Sequence, residues 1–406
     1  MRASKSILNI KTLLLALFIF PTALSYAQTL SKDAKVSLIT VSPGEELYSS
    51  FGHNALWVSD PNLNIDRVYN YGTFDFRTDN FYVKFLRGTL PYQLSVSPIY
   101  NTIYGAQYEN RSVTEQILNF SPIQKQRIFD FLENNYLPPN RQYAYKFFYD
   151  NCATRLRDAI QVAGGDSLRF DSQTVASDTV PKSYRQWMNK YLKEKPWSRY
   201  GMNLAIGLPS DHIATTQEEM YLPDNLKVHV ERAKIGTQEL VLGNRDLFTK
   251  TPQKIALSWQ DILFDPQTIF FLIGIFTILF TNWQNKNLKK SLGFDKFIFG
   301  IVGLAGWLLL LLWIGTDHGV TAWNPDLLWI FPVHLPLIFL LKNKVQKSWI
   351  KYYLNATLLL ILAAFLIGCI TLYLQKPYII GLQAWWLMLG MIMRLNRLKA
   401  VLVVKK

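Results

Sequence analysis

Chemistry is most readily read in this chain at one thiol and a small set of imidazoles. The chain holds two cysteines, and Cys369 lies inside an apolar run, which leaves Cys152 as the thiol of the polar part. Residues 147–160 read FFYDNCATRLRDAI. Apolar or small residues recur at Cys152, Leu156, Ala159, Ile160 and Ala163, which is one face of a helix. Asn151 or Asp150 is the candidate N-cap, so Cys152 falls in the first turn. Unpaired backbone N–H groups and the positive end of the helix dipole stabilise a thiolate there. A thiolate nucleophile also needs a base. The candidates are His53 in YSSFGHNALWV, His212 in GLPSDHIA and His229 in LKVHVER. The patterns place His53 at the start of a strand, His212 in a turn before a polar helix, and His229 on an alternating, strand-like stretch. His53 is preferred, because a strand-borne imidazole facing a helix-start cysteine is a working Cys–His geometry. The competing reading is a small core cysteine with three structural histidines. No His, Cys and Asp grouping has metal-ligand spacing, so no metal or other cofactor is expected.

The elements that must position these groups are those of an α+β domain. β-Branched and aromatic stretches come first: VSLITV at 36–41, ALWV at 55–58 and RVYNYG at 67–72, separated by turn residues such as Pro43-Gly44 and Asp60-Pro61-Asn62. Helices follow. Ser121-Pro122 opens one that runs to about Asn135, and a second runs from near Cys152 to Gly164-Gly165. Asp211 is read as the N-cap of the helix after it.

The chain divides into three segments. Residues 1–27 have a basic start, the apolar run LLLALFIF at 13–20 and Ser25-Tyr26-Ala27 before Gln28, which together read as a secretory signal peptide. Residues 28–265 read as an exported globular domain. Residues 266–406 contain five apolar runs, near 266–283, 297–316, 327–341, 352–374 and 378–393, most of them close to the roughly 20 residues that cross a hydrocarbon core. The third is the shortest and is interrupted by Pro332 and Pro336, so a tilted, kinked or re-entrant course is open. The net charge of +14 follows these divisions. Residues 28–265 hold 26 cations and 26 acids, whereas residues 266–406 hold 14 cations and three acids. The balanced soluble segment argues against nucleic acid as a partner. The membrane-segment cations fall in 284–296, in 342–351 and in the tail after 393, and Lys376 is the one cation of the other two loops. By the positive-inside rule the basic loops are cytoplasmic, and 28–265, 317–326 and 375–377 face outward.

A histidine opening one strand, a polar residue on the next and a cysteine at a helix start is similar to the circularly permuted papain-like order of the lecithin:retinol acyltransferase and NlpC-type superfamily. In that pattern Asn70, in RVYNYG, falls where the residue that orients the imidazole is expected. At family level SSFGHNALWV, VYNYGTFDF, FYVKFLRGTLPYQLS, FFYDNCATRLRDAI and NLAIGLPSDHIATTQEEMYLP resemble the Lnb family over nearly the whole mature length, and TDHGVTAWNPDLLW at 316–329 fits it too. The resemblance implies a permuted papain-like α+β domain in the periplasm, fused to an all-α transmembrane domain of about five helices in the bacterial inner membrane. It implies an acyltransferase that moves an acyl chain from a phospholipid donor to the α-amino group of a diacylglyceryl-cysteine lipoprotein. Cys152, His53 and Asn70 would carry the chemistry. Asp317, His318 and Asn324 lie on the outward loop and are candidates for shaping lipid entry or contacting a head group; the alternative is an ordinary interfacial turn. Arg87, in FLRGTL, is a candidate phosphate contact, against a paired or surface arginine. Two rivals use the same residues differently: a membrane-anchored Cys–His hydrolase with water as acceptor, and a non-catalytic assembly or sensor protein in which Cys152 is structural.

Overall fold

The computed structural model describes residues 28–175, 181–252, 258–342, 348–373 and 382–402. The expected signal peptide, the outward loop 375–377, and Lys344, Lys347, Lys405 and Lys406 lie outside the described residues.

Seven strands form one antiparallel sheet: β1 (Lys35–Val41), β2 (His53–Asp60), β3 (Ile65–Thr73), β4 (Pro91–Ser97), β5 (Val113–Leu118), β6 (Gln142–Ala144) and β7 (Val241–Phe248). Their spatial order is β7-β5-β1-β2-β3-β4-β6. Alternation along β1 and β2 sends Val36, Leu38, Leu56 and Val58 to one face and Ile39, Val41 and Ala55 to the other. Both faces are covered, which is why VSLITV reads as a continuous apolar run. On the first face lie the helices Pro122–Tyr136, Cys152–Gly164 and Pro223–Arg232; Ala106 of the helix Ile99–Tyr108 packs on the second. The three central strands match the sequence expectation, as do the helices at Ser121 and Cys152. Each of these helices opens with a capping box, Ser121 with Gln124 and Asn151 with Thr154.

Two expectations about the soluble part are corrected. His229 lies on the helix Pro223–Arg232 and not on a strand. Pro223 sets that helix's first turn, and Leu226, His229 and Val230 form its buried face. Asp211 caps nothing; it sits in a 3₁₀ turn and forms a two-point ion pair with buried Arg185, while Thr215 caps the short helix Thr216–Glu219.

Among the described residues, three helices are long and apolar enough to cross a membrane: Pro266–Lys286, Gly293–Ile314 and Trp349–Tyr373. The third apolar run, whose course the sequence left open, is a 3₁₀ turn, Pro325–Leu328, followed by a seven-residue helix, His334–Leu340, which at about 10 Å is too short to span. It folds against the Gly293–Ile314 helix at glycines. A Cβ on Gly303 would meet Leu335 N at 2.2 Å, and one on Gly306 would meet Ile330 O at 2.3 Å. The fifth run belongs to the helix Leu382–Leu402, which packs along Pro266–Lys286 with Gly274 against Trp386. Arg394 and Arg397 are therefore not tail-loop cations. They lie buried on that helix, ion-paired to buried Asp295.

Among the described residues, hydrogen bonds to backbone join the soluble and membrane parts at two seams, and Trp197 and Tyr200 pack on Phe270 besides. Gly207 N–H donates to Val320 O at 2.7 Å, Leu208 N–H to Trp323 O at 3.3 Å, and Asn324 Nδ2 to Leu204 O at 2.7 Å. A Cβ on Gly207 would lie 1.8 Å from Ala322 O, so this contact requires glycine. At the second seam Asp317 N–H donates to Arg87 O at 2.7 Å and Lys146 pairs with the Asp317 carboxylate at 2.7 Å.

Candidate active site

The site is built on adjacent strands and one helix start. β2 presents His53 at its first residue, β3 presents Asn70, and the capping box on Asn151 fixes Cys152 as the first residue of its helix. Thr154 N–H is taken by Asn151 Oδ1 at 3.0 Å, and Arg155 N–H by Asn151 O at 3.1 Å. The cap is itself held by Asn151 Nδ2, which donates to Phe147 O and Tyr221 O at 2.8 and 2.9 Å. The backbone N–H groups of Ala153 and Asn54 favour negative charge on the Cys152 sulfur.

His53 Nε2 lies 2.6 Å from Asn70 Oδ1. With an oxygen acceptor there, Nε2 carries the proton and Nδ1 is the basic nitrogen. The thiol and the ring lie close enough to act on each other's charge. Burial pushes the Cys152 pKa up, but the neighbouring imidazolium, its hydrogen bond and the two backbone N–H groups outweigh this and hold it below the ordinary thiol range. Burial pushes His53 down, yet the thiolate charge and the hydrogen bonds to Cys152 and Asn70 leave it above the ordinary imidazole range. The two shifts favour a thiolate–imidazolium pair. They also give a sign. Alkylation of Cys152 is expected to keep its rate down to pH values below those at which a free thiol protonates. In His53→Ala the opposing charge and its hydrogen bond are gone and burial is opposed only by the two backbone N–H groups, so the midpoint moves up. Iodoacetamide labelling against pH measures this, and an unmoved midpoint would refute the pairing.

The structure brings Cys152, His53 and Asn70 together as expected. His212 is exposed and pairs with Glu218 at 3.2 Å, and His229 is fully buried against Glu219 at 2.7 Å, so neither serves the thiol. Asp317, His318 and Arg87 meet at the second seam. His318 Nε2 donates to Leu86 O at 3.0 Å, and the Arg87 side chain is exposed. Asn324 is apart from them, a buried tie between the two parts that also caps the turn Pro325–Leu328.

Sequence reasoning missed an aromatic wall. Gly72, at φ +97° in the bulge between Asn70 and Thr73, leaves room beside the nucleophile. The position a Cβ would take there lies 3.9 Å from Cys152 Cβ, 3.9 Å from Tyr143 Oη and 3.8 Å from the Tyr145 ring. Tyr143 Oη is buried without a hydrogen-bond partner among the described residues. Burial, with the thiolate nearby, raises the pKa values of Tyr143 and Tyr145, so both hydroxyls stay protonated. The Arg155 guanidinium sits 3.9 Å from the Tyr143 ring centroid and is held by Asp150. Tyr143 lies on β6 and Tyr145 one residue past its end, so the run QYAYKFF carries only the cluster of aromatic residues as a signal.

Fold and site together define a membrane protein that carries a soluble mixed-sheet domain with a Cys–His–Asn cluster, docked on a helical membrane region. The model of the Lnb N-terminal periplasmic domain matches residues 23–190, and the model of the Lnb transmembrane domain matches residues 258–400. The chain belongs to the Lnb family. It is thus a bacterial membrane protein with a periplasmic domain, and family membership fits a protein that modifies lipoproteins in the membrane. No curated protein and no solved structure matches the chain.

Proposed function

We propose that this chain is a lipoprotein N-acyltransferase of the inner membrane. Residues 28–265 form its periplasmic catalytic domain, in a permuted papain-like arrangement, and residues 266–406 its membrane domain; residues 1–27 are a cleaved leader. The observation that carries the reading is the line Cys152–His53–Asn70 at a helix start, in an Lnb chain whose soluble part sits on its own membrane helices.

The Cys152 thiolate attacks the ester carbonyl carbon of a phospholipid. As the tetrahedral intermediate collapses, the carbon–oxygen bond breaks, His53 gives its Nδ1 proton to the departing lysophospholipid oxygen, and an acyl thioester remains. The neutral α-amine of a diacylglyceryl-cysteine lipoprotein then attacks the thioester. The carbon–sulfur bond breaks, the amine's proton passes to His53, and the thiolate–imidazolium pair returns. Asn70 keeps the imidazole in the tautomer and orientation both steps need. The Cys152 N–H, which has no intrahelical acceptor at this position, is one donor for the oxyanion. Tyr143 Oη, protonated and unpartnered beside the Gly72 gap, is placed to be another. Tyr143→Phe is expected to slow acyl-enzyme formation about 10- to 100-fold while leaving the alkylation rate of Cys152 nearly unchanged; equal losses in both would assign Tyr143 to thiol activation instead.

The deciding experiment incubates the full chain with phospholipid vesicles and a diacylglyceryl lipopeptide and reads the peptide by mass spectrometry. Gain of one acyl group at the N-terminus is expected. Release of free fatty acid without acylated peptide would make the chain a hydrolase. In a cell with no redundant enzyme, unchanged triacylated lipoproteins after deletion would overturn the proposal.

A further inference from the structure

We infer that the helix Phe81–Arg87, with the turn at Phe74–Phe76, lies in the head-group boundary of the outer leaflet and is where a lipid acyl chain enters toward Cys152. The inference rests on the reading of Cys152 as an acyl acceptor for its direction. Its placement at the membrane rests on the following observations alone.

The helix is the wrong composition for a surface element of a soluble domain. It reads FYVKFLR, with Phe81 buried and Tyr82, Val83, Phe85 and Leu86 exposed; Tyr82 is 77% and Leu86 62% exposed, and nearby Phe76 is 71% exposed. Lys84 and Arg87 are its two polar residues. Exposed aromatic and aliphatic side chains beside a pair of cations are what an interfacial element presents, rings at the acyl boundary and cations toward phosphate.

Its height is set by the membrane region itself. The helix Gly293–Ile314 ends three residues before Asp317, a reach of at most about 10 Å of chain. Asp317 N–H donates to Arg87 O, and His318 Nε2 to Leu86 O. Gly88 closes the Phe81 helix at φ +67°, and a Cβ there would lie 2.8 Å from His318 Nδ1, so the imidazole seats directly on this turn. The exposed apolar face is thereby pinned to the end of a membrane span, and this continuity selects lipid over a soluble protein as its occupant.

From that face, rings lead inward. Phe76 and Phe74 both pack on Phe81, with centroids at 4.9 and 5.8 Å; Phe74 meets Tyr92 at 5.3 Å, and Tyr92 stacks on Tyr145 at 4.5 Å. Tyr145 and Cys152 flank the same Gly72 gap. The row of rings is aromatic along its length and ends beside the nucleophile, which suits an acyl chain lying against it with its head group near Lys84 and Arg87.

The test places a bimane label at Leu86→Cys or Tyr82→Cys, in a chain with Cys152→Ser and Cys369→Ser, reconstituted into vesicles of phosphatidylethanolamine and phosphatidylglycerol. Lipids brominated near the head-group end of the acyl chain are expected to quench both labels. A label at Ile123→Cys, on a helix whose hydrogen bonds all run within the soluble domain, is the reference. Quenching no greater than at Ile123 would overturn the inference, whatever the chain's activity. A second measurement uses Leu86→Asp with native cysteines. The rate of acyl-Cys152 formation from bilayer phospholipid, divided by that from a water-soluble short-chain p-nitrophenyl ester, is expected to fall about tenfold or more. An unchanged ratio would overturn the entry role. If the unsubstituted chain forms no acyl-Cys152 from either donor, the proposed function fails, and the quenching result still decides whether this face meets lipid.

Discussion

Cys152→Ala and Cys152→Ser are both expected to abolish N-acylation, by at least about 10³-fold, with the protein still present in the membrane at normal levels. The size of the loss follows from what the site supplies. His53, Ala153 N–H and Asn54 N–H all stabilise negative charge on sulfur. A serine hydroxyl at the same place has a far higher intrinsic pKa, so the same surroundings leave it un-ionised. Its smaller oxygen also sits farther from an imidazole placed for sulfur. His53→Ala removes the charge that favours the thiolate and the proton that the leaving oxygen requires, so its loss approaches that of Cys152→Ala. Because the two residues act as one unit, Cys152→Ala with His53→Ala is expected to be no worse than Cys152→Ala alone. The measurement is lipoprotein acylation per folded protein, with folding checked by thermal melting. Retained acylation in Cys152→Ser would leave the non-catalytic reading standing and sink both enzyme readings.

The parts of this site that depend on local physics were legible in the sequence. A cap, a face at helical spacing and a Gly-Gly stop fixed the Cys152 helix at both ends, because each signal acts within a few residues. The central strands were legible because burial on both faces demands continuous apolar runs. β7 was not: it is an edge strand, VLGNRDLF, with little burial to impose a pattern. The stretch around His229 fits a period of two through Val228 and Val230 and a helical period through Leu226, His229 and Val230; Pro223 at the first helical position was the deciding signal. Tyr143 lies on a three-residue strand, too short to show alternation. What Tyr143, Lys146 and the loop at Asp317 touch is set by tertiary contacts that no local pattern encodes.

The same limit hid a buried charge cluster in the membrane region. Arg394 and Arg397 read as cytoplasmic loop charges, since charge inside an apolar helix is costly and the one acid that neutralises them, Asp295, is 99 and 102 positions away. The structure buries both, with Asp295 between them, at 2% exposure or less. Arg394 Nε and Arg397 Nη1 each donate to the carboxylate at 2.7 Å. Arg394 also donates to Thr281 Oγ1 and Gln284 Oε1, and Arg397 to Lys289 O and Ser291 O. One acid thus ties together the helices Pro266–Lys286, Gly293–Ile314 and Leu382–Leu402. Asp295→Ala leaves two guanidinium groups buried without a counter-charge and is expected to destabilise the membrane region by about 3–5 kcal/mol, read as lower accumulation and a lower melting temperature in detergent. Asp295 and Ile314 stand at opposite ends of one helix, about 28 Å apart, with the periplasmic seam just beyond Ile314. The surviving folded fraction should therefore retain full activity per molecule. Most of the penalty is the uncompensated charge and not a lost attraction. Replacing the whole group, Asp295→Leu with Arg394→Leu and Arg397→Met, should accordingly recover most of the stability that Asp295→Ala loses. If the triple variant melts lower than Asp295→Ala, the hydrogen bonds to Gln284, Lys289 and Ser291 hold the helices together, and the ion pair is secondary to them.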